Sequence, residues 1–492
     1  MTGTMNWFVF TLLSPLIGGL LLAFIRQPAR SSAINIGFSC ATLIGSLGLA
    51  VAVLQQGSHE ALAGFFFLDA YNVFLISLTS FVSLTTSIFS GPYMRFEWLH
   101  RDLPEQRLRL YHAMFQLFVF GMLLGFTTNN IGVLWIALEL ATLATVLLVS
   151  LYRTPASIAA AWKYFMLAGM GIALALLGTI LIFFTSSTIF GHSNDALTWT
   201  LLFAHAGELD ASVMMMAFAF LMVGYGTKIG LAPMHAWLPD AHAEGPTPVS
   251  AVLSGLLLNL ALYALVRFKM LVDGATGTAM AGHIMIAFGL LSLLIAALSL
   301  HKQHDIKRMF SFSSIEHMGL MTVAFGIGTP LANFAGLLHM TVHSLVKSGI
   351  FFTVGHAAQA MGSQNMEQIR GLIRHHPGIG WGLLTGTAAI AGFPPFGVFT
   401  SEFLLFSAIL DTYPWLILPL LAGLLVAFAG LFRFVQPMVF GPVPAHAIAI
   451  EANMLPVYIR FALALLLGLA IPGPLANWYE QAATLIAGGA AL

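Results

Sequence analysis

Runs of apolar residues, each about as long as a bilayer-crossing helix, follow one another along the chain, separated by short polar, glycine- or proline-bearing turns. A bilayer core of about 30 Å takes roughly 20 helical residues, because backbone groups left unpaired in lipid are too costly. Fourteen stretches have that length: 5–25, 32–55, 69–91, 112–128, 130–151, 159–186, 212–231, 248–272, 279–300, 308–328, 331–357, 379–411, 416–440 and 453–471. The pattern predicts an all-α membrane protein of about 14 transmembrane helices. The first run, Phe8 to Ile25, has no basic residue before it and is followed by Arg26 and Arg30. That reverses a signal peptide's charge order, so it is read as a retained span.

Two spans are interrupted. Span seven ends in Lys228-Ile-Gly-Leu-Ala-Pro233-Met-His235-Ala-Trp-Leu-Pro239-Asp240, and span twelve carries Gly392-Phe-Pro394-Pro395-Phe-Gly397. Proline removes a backbone donor and breaks a helix, and such paired breaks mark the ion path of inverted-repeat transporters. Taking spans 4–8 and 9–13 as two five-helix repeats makes each broken helix the fourth of five. An odd number of spans per repeat inverts one repeat against the other. Two ordinary proline kinks are the plainer alternative. The resulting division is 1–111 (spans 1–3 and a basic inner loop), 112–272 (first repeat), 279–440 (second repeat) and 441–492 (last helix and outer tail).

Composition narrows the function. The chain is 59% hydrophobic and 8% charged over 492 residues, which excludes a water-soluble enzyme. Nineteen basic against nineteen acidic residues leave no positive surplus for nucleic acid. One cysteine, Cys40, supports neither disulfides nor thiolate metal clusters, so any redox cofactor is expected on another chain. Phosphate-binding, dinucleotide and serine-elbow motifs are missing from the sequence, and His301, His304, His375 and His376 read as surface histidines rather than metal ligands. With the N-terminus outside, fourteen of the nineteen basic residues, Arg26, Arg30, Arg101, Arg433 and Arg460 among them, fall on the inner side. Both termini are therefore expected outside the cytoplasmic membrane. Arg267 and Lys269 are exceptions on the outer side.

Ionisable residues recur where lipid is expected, and intramembrane charge is a functional candidate because it is expensive. Glu139 sits mid-span, Lys163 lies in Ala-Trp-Lys-Tyr-Phe, and Lys228 precedes the first break. His339, His343 and Lys347 are spaced by four on one helix face, covering about 12 Å. Glu402 follows the second break, and span ten adds Glu316 and His317. Together they suggest a polar axis near the bilayer midplane, with a Glu139–Lys228 pair whose opening and closing changes how tightly the lysine holds its proton. Charge would then pass along His339, His343 and Lys347 to Glu402. Buried structural ion pairs, packing histidines and a helix-end anchor at Lys163 are the alternatives.

Four segments carry a resemblance: Trp-Ile-Ala-Leu-Glu139; Lys228 to His242, continuing to Pro246-Thr-Pro-Val-Ser250; Asp305-Ile-Lys-Arg-Met-Phe-Ser-Phe-Ser-Ser314; and His339 to Lys347. They resemble the antiporter-like, proton-translocating subunits of complex I, membrane-bound hydrogenases and multisubunit sodium/proton antiporters. The resemblance implies that Glu139 and Lys228 are the paired residues of helices five and seven, that His235 lies within the pathway segment, and that Glu402 ends the path. Asn259 stands where relatives place a lysine or histidine on helix eight, so water or His339 would have to join the halves. Glu316 replaces an uncharged residue, bringing the chain nearer the F component of hydrogenase 4, and no lateral helix follows span fourteen. Asn259, Glu316 and His317 are expected modulators. Implied partners are other membrane subunits, antiporter-like ones included, and a cytoplasmic-side redox module, with no cofactor in this chain. A sodium/proton antiporter subunit, or a proton-gradient-linked anchor for a carbon dioxide-hydrating enzyme, are the other readings.

Overall fold

The computed structural model describes residues 2–25, 27–100, 103–444, 448 and 450–488; Arg26 and Arg101, counted above among the inner cations, lie outside them. The chain begins with α1 (Thr2–Leu22), α2 (Pro28–Gln56), strands β1 (His59–Ala61) and β2 (Phe66–Leu68), α3 (Ala70–His100) and α4 (Glu105–Thr127). The next group is α5 (Ile131–Val149), α6 (Pro155–Phe190), α7 (Trp199–Ala204), α8 (Ala211–Ile229), α9 (Leu238–Glu244), α10 (Thr247–Val252) and α11 (Leu258–Thr276). Then come α12 (Met280–Leu300), α13 (Ile306–Ile327), α14 (Pro330–Met361), α15 (Leu372–His375), α16 (Pro377–Ile390), α17 (Gly397–Thr412) and α18 (Ile417–Phe440), and finally α19 (Leu455–Leu469) and α20 (Gly473–Ile486). The two strands pair antiparallel, with Glu60 opposite Phe67.

Side-chain caps set several of these boundaries, because they satisfy first-turn N–H groups that have no helical partner. Asn130 accepts from Gly132 and Val133, Asp210 from Val213, Asp305 from Arg308 and Thr329 from Ala332. Proline at the first helical position reinforces the starts of α6 and α14.

Among the described residues, eleven helices have the length and apolar composition of a membrane crossing, or twelve if the bent pair α19 and α20, turned by 77°, counts as one span. With that pair counted, two of the expected fourteen fall short of that measure. Helix α13 carries Lys307, Arg308, Glu316 and His317 with several hydroxyl residues, and α16 and α17 are short pieces separated by the second break. Both segments are helical where the apolar pattern placed them, but fourteen crossings are not established. Spans Thr247–Thr276 and Pro330–Met361 are enclosed by protein along their whole apolar windows and form the centre. Side chains such as Trp162, Phe184, Leu298 and Leu425 face outward, as expected of a lipid-facing surface. Close packing is densest between α12 and α13, where Gly282 meets Gly326 and Gly289 meets Gly319, backbone against backbone.

Three cations depart from their expected places. Arg267 and Lys269 lie within α11, not in an outer loop, and each is neutralised: Arg267 Nη2 is 2.5 Å from Asp69 Oδ2, and Lys269 Nζ is 2.6 Å from Asp273 Oδ2. The Arg267 guanidinium is also surrounded by the Phe67, Tyr71, Trp199 and Tyr263 rings at 4.5 to 5.9 Å. Arg460, expected near an inner turn, is instead fully buried in α19. It donates to the Val82 carbonyl at 3.1 Å and to the Thr85 and Thr86 hydroxyls of α3, and it lies 4.2 Å from the Phe352 ring centroid.

Candidate functional site

The first break leaves Lys228 in the last turn of α8. Gly230 ends that helix in the left-handed region (φ 81°), a short turn through Met234–Trp237 follows, and α9 resumes. Neighbouring side chains satisfy the backbone groups that the break frees: Trp237 Nε1 donates to the Thr227 carbonyl at 2.8 Å, and Ala232 N to Ser292 Oγ at 2.9 Å. Lys228 is enclosed completely; its Nζ lies 3.1 Å from Glu139 Oε2 and 2.7 Å from Thr142 Oγ1. Glu139 and Thr142 are three residues apart on α5, so one helix face presents both to the lysine.

In the second half, His339, His343 and Lys347 line one face of α14, all buried. His339 joins three helices: its Nε2 is 3.0 Å from His317 Nδ1 on α13, and its Nδ1 is 2.9 Å from Ser401 Oγ on α17. His343 packs its ring 5.6 Å from that of His317, and neither of its nitrogens has a hydrogen-bond partner among the described residues. Lys347 Nζ donates to the Phe310 carbonyl of α13 at 2.9 Å. Glu402, one residue beyond Ser401, rests its carboxylate against Gly392 in the second break; a Cβ there would collide with it. Gly392 has a φ of 71°, so the turn favours glycine, and any added Cβ would have to push the Glu402 carboxylate aside.

The halves meet through polar uncharged groups. Asn259 Nδ2 donates to Ser344 Oγ and to the Gly255 carbonyl, both at 3.0 Å, so Ser344 of α14, and not His339, is the residue that engages Asn259. Just before α11 the helix widens to a π turn over Leu253–Leu257, a feature frequent at functional sites. Ser254 of that turn lies 2.7 Å from Ser314 Oγ; Ser314 donates to the Phe310 carbonyl at 3.1 Å, the same oxygen that receives Lys347.

Two expected members lie elsewhere. Lys163 Nζ is 2.6 Å from Asp240 Oδ2, and Arg308 of α13 binds the other oxygen of the same carboxylate. Lys163 thus joins an exposed ion-pair cluster rather than the Lys228 pair. His235 is half-buried, with its ring 6.1 Å from that of Phe312. Residues the sequence reading passed over include Thr142, Asp240, Ser254, Ser314 and Ser401. Only Thr142 had a local signal, its helical spacing from Glu139. Among the described residues no group of three or more His, Cys, Asp or Glu side chains is placed to hold a metal ion.

The profile of the family described as NADH:quinone oxidoreductase/Mrp antiporter, TM, matches residues 128–428. A Hydrogenase-4 component F homolog from Methylacidiphilum infernorum is 46% identical over 475 residues, covering 96% of this chain and 98% of that one. Among solved structures, the archaeal membrane-bound sulfane sulfur reductase contains a chain that superposes with a TM-score of 0.86 at 23% identity, covering 98% of this chain and 97% of that one. The Mrp complex from Dietzia sp. matches with a TM-score of 0.85 at 18% identity, covering 99% and 98%. These two likenesses concern the fold.

Proposed function

The chain belongs to the NADH:quinone oxidoreductase/Mrp antiporter membrane family, and from that premise we propose that it carries protons along a buried axis running from Glu139 and Lys228 to Glu402. It is an antiporter-like, multi-pass subunit of the class found in complex I, Mrp and hydrogenase-type membrane complexes. The observation that carries the proton reading is the completely enclosed Lys228 amine, held by Glu139 and Thr142 at the end of a broken helix.

In this reading the pair is a switch. Closed, Glu139 neutralises Lys228 and holds its proton; opened, the ammonium is left in a low-dielectric site and passes its proton onward. The Asn259–Ser344 and Ser254–Ser314 hydrogen bonds connect the halves although position 259 carries no titratable group. His317, His339 and Ser401 then lead to Glu402. Lys163 and His235 act around the path, Lys163 through its ion pair with Asp240. The 112–272 and 279–440 segments are the two inverted repeats. Redox chemistry on a cytoplasmic-side partner module, in an inner membrane with both termini of this chain outside, supplies the driving force.

The test is ion identity. Vesicles holding the assembled complex should acidify or alkalinise on substrate addition in sodium-free medium. Transport that requires sodium and moves no protons without it would overturn the reading.

A further inference from the structure

The two proposed repeats place a carboxylate at matching positions. Glu139 is the ninth of nineteen residues in α5, the second helix of the first repeat; Glu316 is the eleventh of twenty-two in α13, the second helix of the other. Helix α13 packs on α14 and α17, which carry Lys347 and Glu402. The contacts His317–His339 and Phe310–Lys347 set α13 and α14 antiparallel and in register, since seven residues on one and eight on the other each cover about 11 to 12 Å. Glu316 falls inside that interval.

Glu316 is only 3% exposed, and its Oε2 has no hydrogen-bond partner among the described residues. Burying a carboxylate oxygen unpaired is expensive, and such groups concentrate where a function keeps them. The charged side chains whose fields reach Glu316 are Lys347 and Glu402, and Glu316 is in turn the charged neighbour of Lys347. Among the described residues no carboxylate oxygen forms an ion pair with Lys347, whose ammonium donates instead to a backbone carbonyl. The second half therefore holds a lysine with a carboxylate nearby but not clasped to it.

We propose that Glu316 is the second repeat's counterpart of Glu139 and relays protons from Lys347 to Glu402. The proposal deepens the proton-path reading above and rests on it. An N–H bond of the Lys347 ammonium breaks as an O–H bond forms on Glu316, leaving an amine and a carboxylic acid. That acid then gives its proton, by way of the His317, His339 and Ser401 chain, to the Glu402 carboxylate and returns to the anion. Lys347 regains a proton from the first half, past the Ser254–Ser314 pair that shares the Phe310 carbonyl with it. This gives the second half a titratable lysine–glutamate unit on α13 and α14, although position 259 holds an asparagine.

The experiment compares variants of the whole assembled complex in inverted membrane vesicles, reading proton uptake and partner turnover together. Glu316→Gln should lower translocation at least tenfold while turnover continues, and Glu316→Asp should restore it to within about threefold of the parent. Lys347→Met should cause a similar loss, and adding Glu316→Gln to it should cost nothing further; this arm serves if Glu316→Gln alone fails to assemble. Wild-type translocation by Glu316→Gln overturns the relay, as does equal inactivity of the Gln and Asp variants in assembled complex. The Lys228→Ala control separates the two readings: if it abolishes translocation while Glu316→Gln does not, only the relay fails. If Lys228→Ala translocates normally, the proton-path reading falls as well.

Discussion

Lys228 makes its shorter hydrogen bond to Thr142, 2.7 Å against 3.1 Å to Glu139, so a neutral hydroxyl shares the grip on the buried amine. When the ion pair opens, that hydroxyl is the partner that remains. Replacing it with an isosteric methyl strands one N–H and costs about 1 kcal/mol or somewhat more.

Thr142→Val is therefore expected to slow the reprotonation of Lys228, and with it proton translocation, by roughly fivefold or more, since about 1.4 kcal/mol corresponds to a factor of ten. Initial rates of proton uptake in vesicles, normalised to assembled complex, check this.

The Arg267–Asp69 pair predicts a stability effect. Arg267 is 3% exposed and Asp69 1%, so removing one partner leaves a buried charge uncompensated, at a cost of about 3 to 5 kcal/mol. Asp69→Leu should lower the detergent-solubilised melting temperature markedly. Combining it with Arg267→Met should recover much of the loss, because the bare charge is then gone. A double variant less stable than Asp69→Leu would contradict this account of the pair.

Gly392 and Gly230 form a matched test of the two breaks. Both have positive φ, 71° and 81°, so alanine strains either by roughly 1 to 2 kcal/mol. Only at Gly392 does the added methyl run into the Glu402 carboxylate; at Gly230 it meets Leu238 Cδ2 at 3.2 Å. Gly392→Ala is expected to cut translocation well beyond Gly230→Ala at comparable melting temperature. Equal effects would show that Glu402 placement is not what Gly392 provides.

Asp305 gives a pH signature from outside the spans. Burial pushes its carboxyl above the usual 3.8, with the Arg308 and Lys307 amides and charges offsetting only part of the rise. The folded protein therefore holds this proton more tightly than the unfolded chain, and stability falls as pH rises from 3.8 through the raised value. Asp305→Asn keeps the cap to Arg308 but removes the titration. The variant's stability relative to the parent should rise across that window in pH-resolved melting, and a flat difference would contradict the assignment.

Much of this arrangement could be read from local sequence. Apolar run length located the helices, and Pro233, Pro239, Pro394 and Pro395 marked the breaks because proline leaves its signature in the segment that it interrupts. The spacing of His339, His343 and Lys347 gave their shared face. What stayed hidden depends on contacts between distant segments. Lys163 looked like a member of the axis, yet its partner Asp240 lies 77 residues away on the far side of a break. Arg267 looked misplaced for an outer loop because Asp69, its partner, is 198 residues distant. The fourteen-span count included α13, whose polar residues keep it below the apolar measure of a crossing, because an interior helix tolerates polarity that a lipid-facing helix cannot. The Ser254–Ser314 link was invisible because neither serine departs from the ordinary composition of a membrane helix.

The central claim is that Lys228 hands on a proton when Glu139 lets go, and the most direct measurement is proton translocation per partner turnover in vesicles carrying assembled Lys228→Ala complex. The account predicts that turnover continues while translocation through this subunit is lost. Unchanged proton translocation per turnover would contradict it.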